Sequence, residues 1–469
     1  MNELIDQILQ NANLTQACFE VIRNKGAGGV DGMSVKELKS YLDKNRQALV
    51  EQVRNCDYHA QPIRGKEIPK GKDKIRLLGI PTVIDRMLQQ AVLRVIMPRY
   101  EFNFSSYSYG FRPKRNIIQA TSKALNYVNS GYQHIVEIDL KQFFDRVDHT
   151  ILLQLLYRKI KCKATMCLIR RWLRAPLLKD GKLIKRRIGV PQGSPISPLL
   201  ANIMLHEMDI EMDRRNLHFV RYADDFSIYC KTKTEAQKAG NGIYLFLRDK
   251  LKLPINREKS GVRRPVNFQI LGFGFVPIYK KGVKGKYQLV ITTKKWDKFK
   301  SDLKEITRKT LPMSFDERIQ KLNNTINGWI ESRKYANIKT KLAALDGWIR
   351  NRLRGCIWSR VLGRKNRREK GKTLSDSGSI LIWHMRGAGL IWADGLSPKA
   401  RYLELPSPSI GLKEEATYQC PRSMKRKPLN LLIPHCFPCF KEPPYTACPD
   451  CFIGKTRTYG GVRASPIGF

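Results

Sequence analysis

The sequence predicts an α+β fold, with mixed strands and helices in front and an all-helical segment behind. Three observations carry this. Residues 135–140 (Ile-Val-Glu-Ile-Asp-Leu) alternate apolar and acidic side chains, as a strand with one buried face does. Residues 219–230 set two runs of aromatic and β-branched residues around Asp224-Asp225, the pattern of a β-hairpin with the two acids at its turn. From residue 292 to 360 apolar residues recur at three- and four-residue steps with basic residues between them, the pattern of a helical bundle.

Taken in order, residues 1–22 carry Leu4, Ile5, Ile8 and Leu9, then Ala17, Val21 and Ile22, at helical spacing. The glycine-rich loop at 24–32 follows no strand, so it is no nucleotide-binding fingerprint; its glycines could cradle phosphate, but on the residues alone a flexible connector is the better reading. Residues 34–61 read as a helical pair. Residues 67–80 read as two β-rich runs around a Lys/Gly/Asp turn, a basic hairpin suited to a triphosphate. Val83 to Met97 is a helix that Pro98 stops. In Tyr107-Ser-Tyr-Gly-Phe-Arg-Pro113, aromatics beside Arg112 suit stacking on bases and phosphate binding, although buried aromatics would look the same. A helical pattern follows at Ile151–Leu156. Residues 186–198 form a turn-rich loop ahead of a helix from about Pro198 to Arg214. Another helix covers about Glu235–Leu251, and Ile270-Leu-Gly-Phe-Gly-Phe275 reads as a glycine-spaced strand.

Lys plus Arg number 86 against 41 acids, a net charge of +45 spread along 469 residues. Such a chain meets a polyanion, and the charge does not separate RNA from DNA. The length suits about two to four domains with ample core. No apolar run reaches the roughly 18 residues of a membrane helix, and no basic-then-apolar leader opens the sequence. Cys18, Cys56, Cys162 and Cys230 sit inside apolar patterns, as reduced thiols of a cytosolic protein do.

The acids carry the chemistry. Adjacent carboxylates on an apolar hairpin are costly unless a cation meets them, and a divalent metal is the natural candidate, although solvated Asp-Asp turns are common. Val136, Ile138 and Leu140 take one strand face, leaving Glu137 and Asp139 on the other. Asp139 at a strand end and Asp224 on a hairpin can hold two metal ions between them for in-line phosphoryl or nucleotidyl transfer.

Asp139 with Phe144-Asp145, then Pro191-Gln-Gly-Ser-Pro-Ile-Ser-Pro198, then Tyr222-Ala-Asp-Asp225 resembles the reverse transcriptases. More narrowly, the chain to about residue 360 resembles the bacterial group II intron-encoded maturase–reverse transcriptases. The resemblance implies a right-hand polymerase with fingers, palm and an α-helical thumb. It divides the chain into an N-terminal extension (1–35), fingers and palm (36–290), thumb or maturase domain (291–372) and a basic, proline-rich tail (373–469). It implies RNA-directed DNA polymerase activity with two Mg²⁺, for which Mn²⁺ can substitute. Asp139, Leu140, Asp224 and Asp225 would surround the metals. Lys70, Arg76, Phe144, Gln192 and Lys259 would meet the deoxynucleoside triphosphate. Phe144 would exclude a 2′-hydroxyl, with Phe143 as its alternative, and Lys259 would protonate or neutralise the leaving pyrophosphate.

The resemblance further places Arg112 at the template, Gly272 at the primer end, and the glycine-rich loop near the template end. The basic run of residues 360–372, with Arg364, Lys365, Arg367 and Arg368, is either a solvated helix end or a nucleic-acid contact, and the charge of the whole chain favours the contact. Implied partners are an RNA template, a DNA or RNA primer, the intron RNA and target DNA; a homodimer is compatible. The role implied is group II intron splicing and retrotransposition in the bacterial cytosol. The alternatives are a reverse transcriptase in repair or antiviral defence, and a maturase that only binds RNA. In the tail, where residues 398–469 hold 11 of the 24 prolines, Cys436, Cys439, Cys448 and Cys451 form two Cys-x-x-Cys pairs. Four such cysteines can bind Zn²⁺, although eight intervening residues are few; a poorly ordered tail is the other reading.

Overall fold

The structure is a computed structural model that describes residues 3–69, 75–279 and 285–361. The chain opens with helices α1 (Glu3–Leu9), α2 (Asn11–Arg23) and α3 (Leu38–Arg54). The stripe Leu14, Ala17, Cys18 and Val21 buries one face of α2. The pair of helices expected over 34–61 is a single one. Cys56 turns left-handed with φ +62°, which ends α3 and sends Tyr58 back to the core.

Strands β1 (Ile63–Pro69) and β2 (Ile75–Ile80) pair antiparallel with Pro69 opposite Ile75. Helix α4 (Val83–Glu101) starts at a Thr82 cap whose hydroxyl accepts from Asp85 N–H. It runs through Pro98 instead of stopping there. The proline removes one hydrogen bond in the last turn, and burial of Ile96 and Tyr100 outweighs that loss. A capping box of Asn116 and Gln119 starts α5 (Ile117–Asn129).

Strand β3 (His134–Ile138) leads to the short α6 (Phe143–Arg146), then α7 (His149–Lys159) and α8 (Lys163–Arg174). The hairpin β4 (Leu177–Lys179) and β5 (Lys182–Ile184) precedes α9 (Ser197–Arg214). Next come β6 (His218–Tyr222), β7 (Asp225–Cys230), α10 (Lys233–Asp249) and β8 (Gly261–Arg263). Strands β9 (Gln269–Ile270), β10 (Phe273–Pro277) and β11 (Tyr287–Ile291) lead into helices α11 (Thr293–Ile306), α12 (Phe315–Glu331) and α13 (Lys339–Val361).

Among the described residues the strands form three sheets, ordered β2-β1-β4-β5, β6-β7-β3-β8 and β11-β10-β9. The second is the antiparallel central sheet. Val136, Ile138, Phe219, Phe226 and Ile228 on one face join the main core with α4, α7 and α9. On the other face Ile135, Val220 and Tyr229 pack with Phe268, Phe273 and Phe275 of the third-sheet region. Glu137 continues that second face and Asp139 follows just past the end of β3, so the apolar cover gives way to acids at one end. This is the alternation the sequence predicts.

Helices α11 and α12 pack through aromatics: the rings of Phe299 and Trp329 stack at 4.1 Å, and Trp296 meets Trp329 at 5.6 Å. The buried Arg318 guanidinium donates to the carbonyls of Ile306 (2.6 Å), Arg308 (3.0 Å) and Leu311 (3.3 Å). It thereby satisfies carbonyls that the end of α11 leaves open. Among the described residues no helix is long and apolar enough to cross a membrane.

Candidate active site

Strand β3 ends at Ile138, which lies opposite Phe226 of β7. Asp139 follows Ile138 and Asp225 precedes Phe226, so both belong to the same end of this strand pair. The loop joining β6 to β7 has only two residues, Ala223 and Asp224, because Tyr222 pairs with Asp225. The turn therefore holds Ala223 and Asp224, not both acids; Asp225 is the first residue of β7. Ala223, with φ +60°, takes the left-handed position that a tight hairpin requires. Asp139, Asp224 and Asp225 are brought to one end of one sheet, across 85 positions of sequence.

A second strand-like segment fixes Asp139. Its N–H donates to Ser260 Oγ (3.1 Å) and its carbonyl accepts from Asn256 N–H (2.7 Å). Leu140 bridges to Ile255, and Lys141 N–H donates to the Pro254 carbonyl at 2.9 Å. This stitching delivers Lys259, whose Nζ lies 3.6 Å from Asp139 Oδ2. Arg263 pairs with Glu137 and donates to the Lys259 carbonyl at 3.2 Å, steadying the same turn. Leu140 is buried in the core, so a cation could meet only its backbone carbonyl.

Carboxylate oxygens are hard donors, and they fit Mg²⁺ or Mn²⁺. Among the described residues no three His, Cys, Asp or Glu side chains close into a metal cage by themselves. An open acidic edge of this kind suits an ion that keeps water and takes phosphate oxygens as further ligands.

Beside the acids, Gln142 takes φ +52° and α6 begins. Phe143 and Phe144 thus lie on a helical turn, not on an alternating strand. Phe143 is buried in the core, while Phe144 is partly exposed and meets Phe111 edge-on at 6.5 Å. The alternative of Phe143 as the sugar-facing ring is thereby ruled out by burial.

The loop 188–193 ties three parts together. Gly189 N–H donates to Val147 O (2.8 Å), Val190 N–H to Phe144 O (2.6 Å) and Gly79 N–H to Gln192 O (2.8 Å). Gly193 has φ +115°, and a Cβ there would stand 2.7 Å from the Gly79 carbonyl oxygen. Strand β2, bearing the exposed Arg76, is bolted to Gln192 and through it to Phe144.

Arg186 is a residue that sequence reasoning missed. Its Nη2 donates to Gly189 O at 2.8 Å, and its buried Nη1 has no hydrogen-bond partner. Burial pushes the Asp145 carboxyl up, while Arg186, Arg146 and Arg76 pull it down, so these groups share one electrostatic neighbourhood. Arg186 is one of several basic residues in a row, and nothing in the sequence separates it from Lys185 or Arg187.

Two expectations are corrected. Arg112 is 7% exposed and bound inward. It donates to Glu101 (2.8 Å) and to the carbonyls of Ser105 (2.6 Å) and Ser108 (2.7 Å), so it supports the fold and is not available to a template. Gly272 is not inside a strand. Leu271 and Gly272, with φ +54° and +88°, are the two-residue turn between β9 and β10, which β-carbon sterics force toward glycine. A Cβ at Gly272 would stand 2.8 Å from the Lys295 side chain. Lys70, Arg364, Lys365, Arg367 and Arg368 lie outside the described residues, as do Cys436, Cys439, Cys448 and Cys451.

Residues 68–275 match the reverse transcriptase (RNA-dependent DNA polymerase) family, and residues 296–374 match the group II intron maturase-specific domain. The chain is 30% identical to protein YkfC of Escherichia coli over 332 residues, covering 62% of this chain and 87% of that protein. The chain belongs to the group II intron-encoded reverse transcriptases. This reverse transcriptase is also 30% identical, over 302 residues, to the group II intron-encoded protein LtrA of Lactococcus lactis, covering 50% of each chain. Over 231 residues it is 28% identical to a putative COX1/OXI3 intron 2 protein of Saccharomyces cerevisiae, covering 49% of this chain and 25% of the other. The reverse transcriptase spans about half the length of LtrA. Its family makes it an RNA-directed DNA polymerase that uses divalent metal ions and works on nucleic acid, with a maturase domain behind the polymerase.

Proposed function

We propose that the enzyme extends a primer 3′-hydroxyl on an RNA template with deoxynucleoside triphosphates, using Asp139, Asp224 and Asp225 to hold two Mg²⁺. The observation that supports this reading is the pairing of Ile138 with Phe226, which puts Asp139 and Asp225 at the same end of the central sheet. When bound, the metal ions lower the pKa of the attacking hydroxyl and offset charge on the phosphates. The backbone carbonyl of Leu140 would offer the same cations a further oxygen.

The protein does the rest by placement. Phe144 presents a ring where the sugar 2′-carbon lies and leaves no room for a hydroxyl. Arg76, with Lys70, forks onto the triphosphate, and Gln192 touches the incoming nucleotide from the loop that β2 grips. Lys259, held at Asp139, hands a proton to the departing pyrophosphate. The helices beyond residue 292, with the basic run at 364–368, hold the template duplex and the intron RNA, in support of splicing and mobility.

The test is the double substitution Asp224→Ala/Asp225→Ala. Primer extension is expected to vanish while binding of intron RNA stays within about twofold; retained extension would refute the site. Flanking DNA that folds as a group II intron supports the mobile-element role over repair or defence.

A further inference from the structure

Three residues before Asp224, the side chain of Arg221 is wholly buried, and so is that of Asp209 on α9. Arg221 Nε and Nη2 donate to the two Asp209 oxygens at 2.7 and 2.6 Å. Its Nη1 donates to Asn202 Oδ1 (2.9 Å) and to the carbonyl of Ala223 (3.0 Å). Burial drives the Asp209 carboxyl up and Arg221 pulls it down.

Stability does not explain this pair. A buried Arg–carboxylate pair is often matched or bettered by apolar residues of the same volume. The bond to Ala223 gives it a purpose. A non-glycine residue at φ +60° is strained by roughly 1 kcal/mol or more. The Ala223 carbonyl lies in the same rigid peptide plane as the Asp224 N–H, so holding one orients the other. The opposite side of the turn is closed by Gly110, where a Cβ would stand 2.2 Å from Ala223 N. Asn202 Nδ2 fixes Gly110 through its carbonyl at 2.9 Å. One helix face thus grips the turn from both sides.

We propose that Arg221 is a positioning residue for nucleotide transfer: with Asp209 and Asn202 it locks the Ala223–Asp224 peptide so that the Asp224 carboxylate stands ready beside Asp139. The inference rests on Asp224 acting as assigned above.

The test uses the full chain with three variants: Asp209→Leu/Arg221→Met, which removes both charges at similar volume, Arg221→Lys, and Asn202→Ala. Readouts are melting temperature, primer–template Kd, single-turnover extension rate, and Mn²⁺ affinity of the primer–template complex by electron paramagnetic resonance. For the apolar pair we expect an unfolding transition and Kd like the parent's, an extension rate reduced about 100-fold, and Mn²⁺ bound about tenfold more weakly. Arg221→Lys keeps the charge but not the fork, and should be similarly slow. Asn202→Ala, which spares the ion pair, decides the matter should the apolar pair not fold; its expected loss is about tenfold. A folded variant that keeps parental rate and Mn²⁺ affinity within twofold overturns the proposal. An active Asp224→Ala control would overturn the site reading instead.

Discussion

Lys259 holds its ammonium nitrogen 3.6 Å from Oδ2 of Asp139, on a segment that four contacts stitch to the end of β3. Lys259 is exposed and Asp139 partly so, and such a pair adds little to stability. Its meaning is electrostatic: the ammonium occupies the field that a cation would enter. Lys259→Ala should slow nucleotide addition about 100-fold, the typical worth of a placed proton donor. It should also lower the divalent-ion concentration for half-maximal rate. A metal titration of single-turnover extension checks both, and an unchanged rate would remove Lys259 from the reaction.

Phe144 is the ring left uncovered when Phe143 enters the core. Phe144→Ala should admit ribonucleotides, with discrimination against them falling at least about tenfold, because one steric clash of this size is worth about 1–3 kcal/mol. Competing extension with ribo- and deoxynucleotides measures the ratio. Phe143→Ala should instead lower the melting temperature, through a core cavity.

Asp85 is buried and accepts from Tyr58 OH (2.9 Å), Trp172 Nε1 (2.9 Å), Thr82 Oγ1 (2.8 Å) and Gln61 N–H (3.3 Å). It joins the start of α4 to α8 and to the segment after α3. Asp85→Ala strands three buried side-chain donors and should cost about 2–5 kcal/mol of unfolding free energy. Denaturant unfolding checks it; a loss under about 1 kcal/mol would show that water replaces the carboxylate.

His206 packs edge-on against Phe104 at 5.3 Å, and burial, with Arg221 and Lys159 nearby, lowers its pKa to about 4. An imidazole that resists protonation when folded but accepts it when unfolded loses stability as pH falls. Its contribution is complete above the unfolded value near 6.5 and disappears on the way down to about 4. Burial lowers His134, His149 and His218 in the same direction. Unfolding free energy should fall between those limits, and His206→Phe should flatten the curve by up to about 3 kcal/mol. A parallel decline in both proteins would assign the effect elsewhere.

The alternation at 135–140 and the hairpin at 219–230 were legible because each is a local pattern with a period of two. What joins them was not. The pairing of Ile138 with Phe226 is a long-range choice that no local pattern encodes. The turn lies one residue earlier than the pattern suggests because an alanine is an improbable occupant of the left-handed position; Gly110 packs against it and Arg221 bonds to its carbonyl. Arg112 stands among aromatics like a base-stacking arginine, yet Glu101, eleven residues upstream, captures it. Similarly, Gly272 looked like a strand glycine because a two-residue turn leaves no polar punctuation in Leu271-Gly272.

Loop 188–193 bonds to the backbone of Phe144 on one side and to Gly79 of β2 on the other. Under the roles proposed for Arg76 and Phe144, a shift of β2 on binding a triphosphate would reach the backbone of Phe144 through this loop. Triphosphate capture and sugar choice would then be coupled through one loop, so a lesion that loosens β2 should blur sugar choice even where the ring itself is intact.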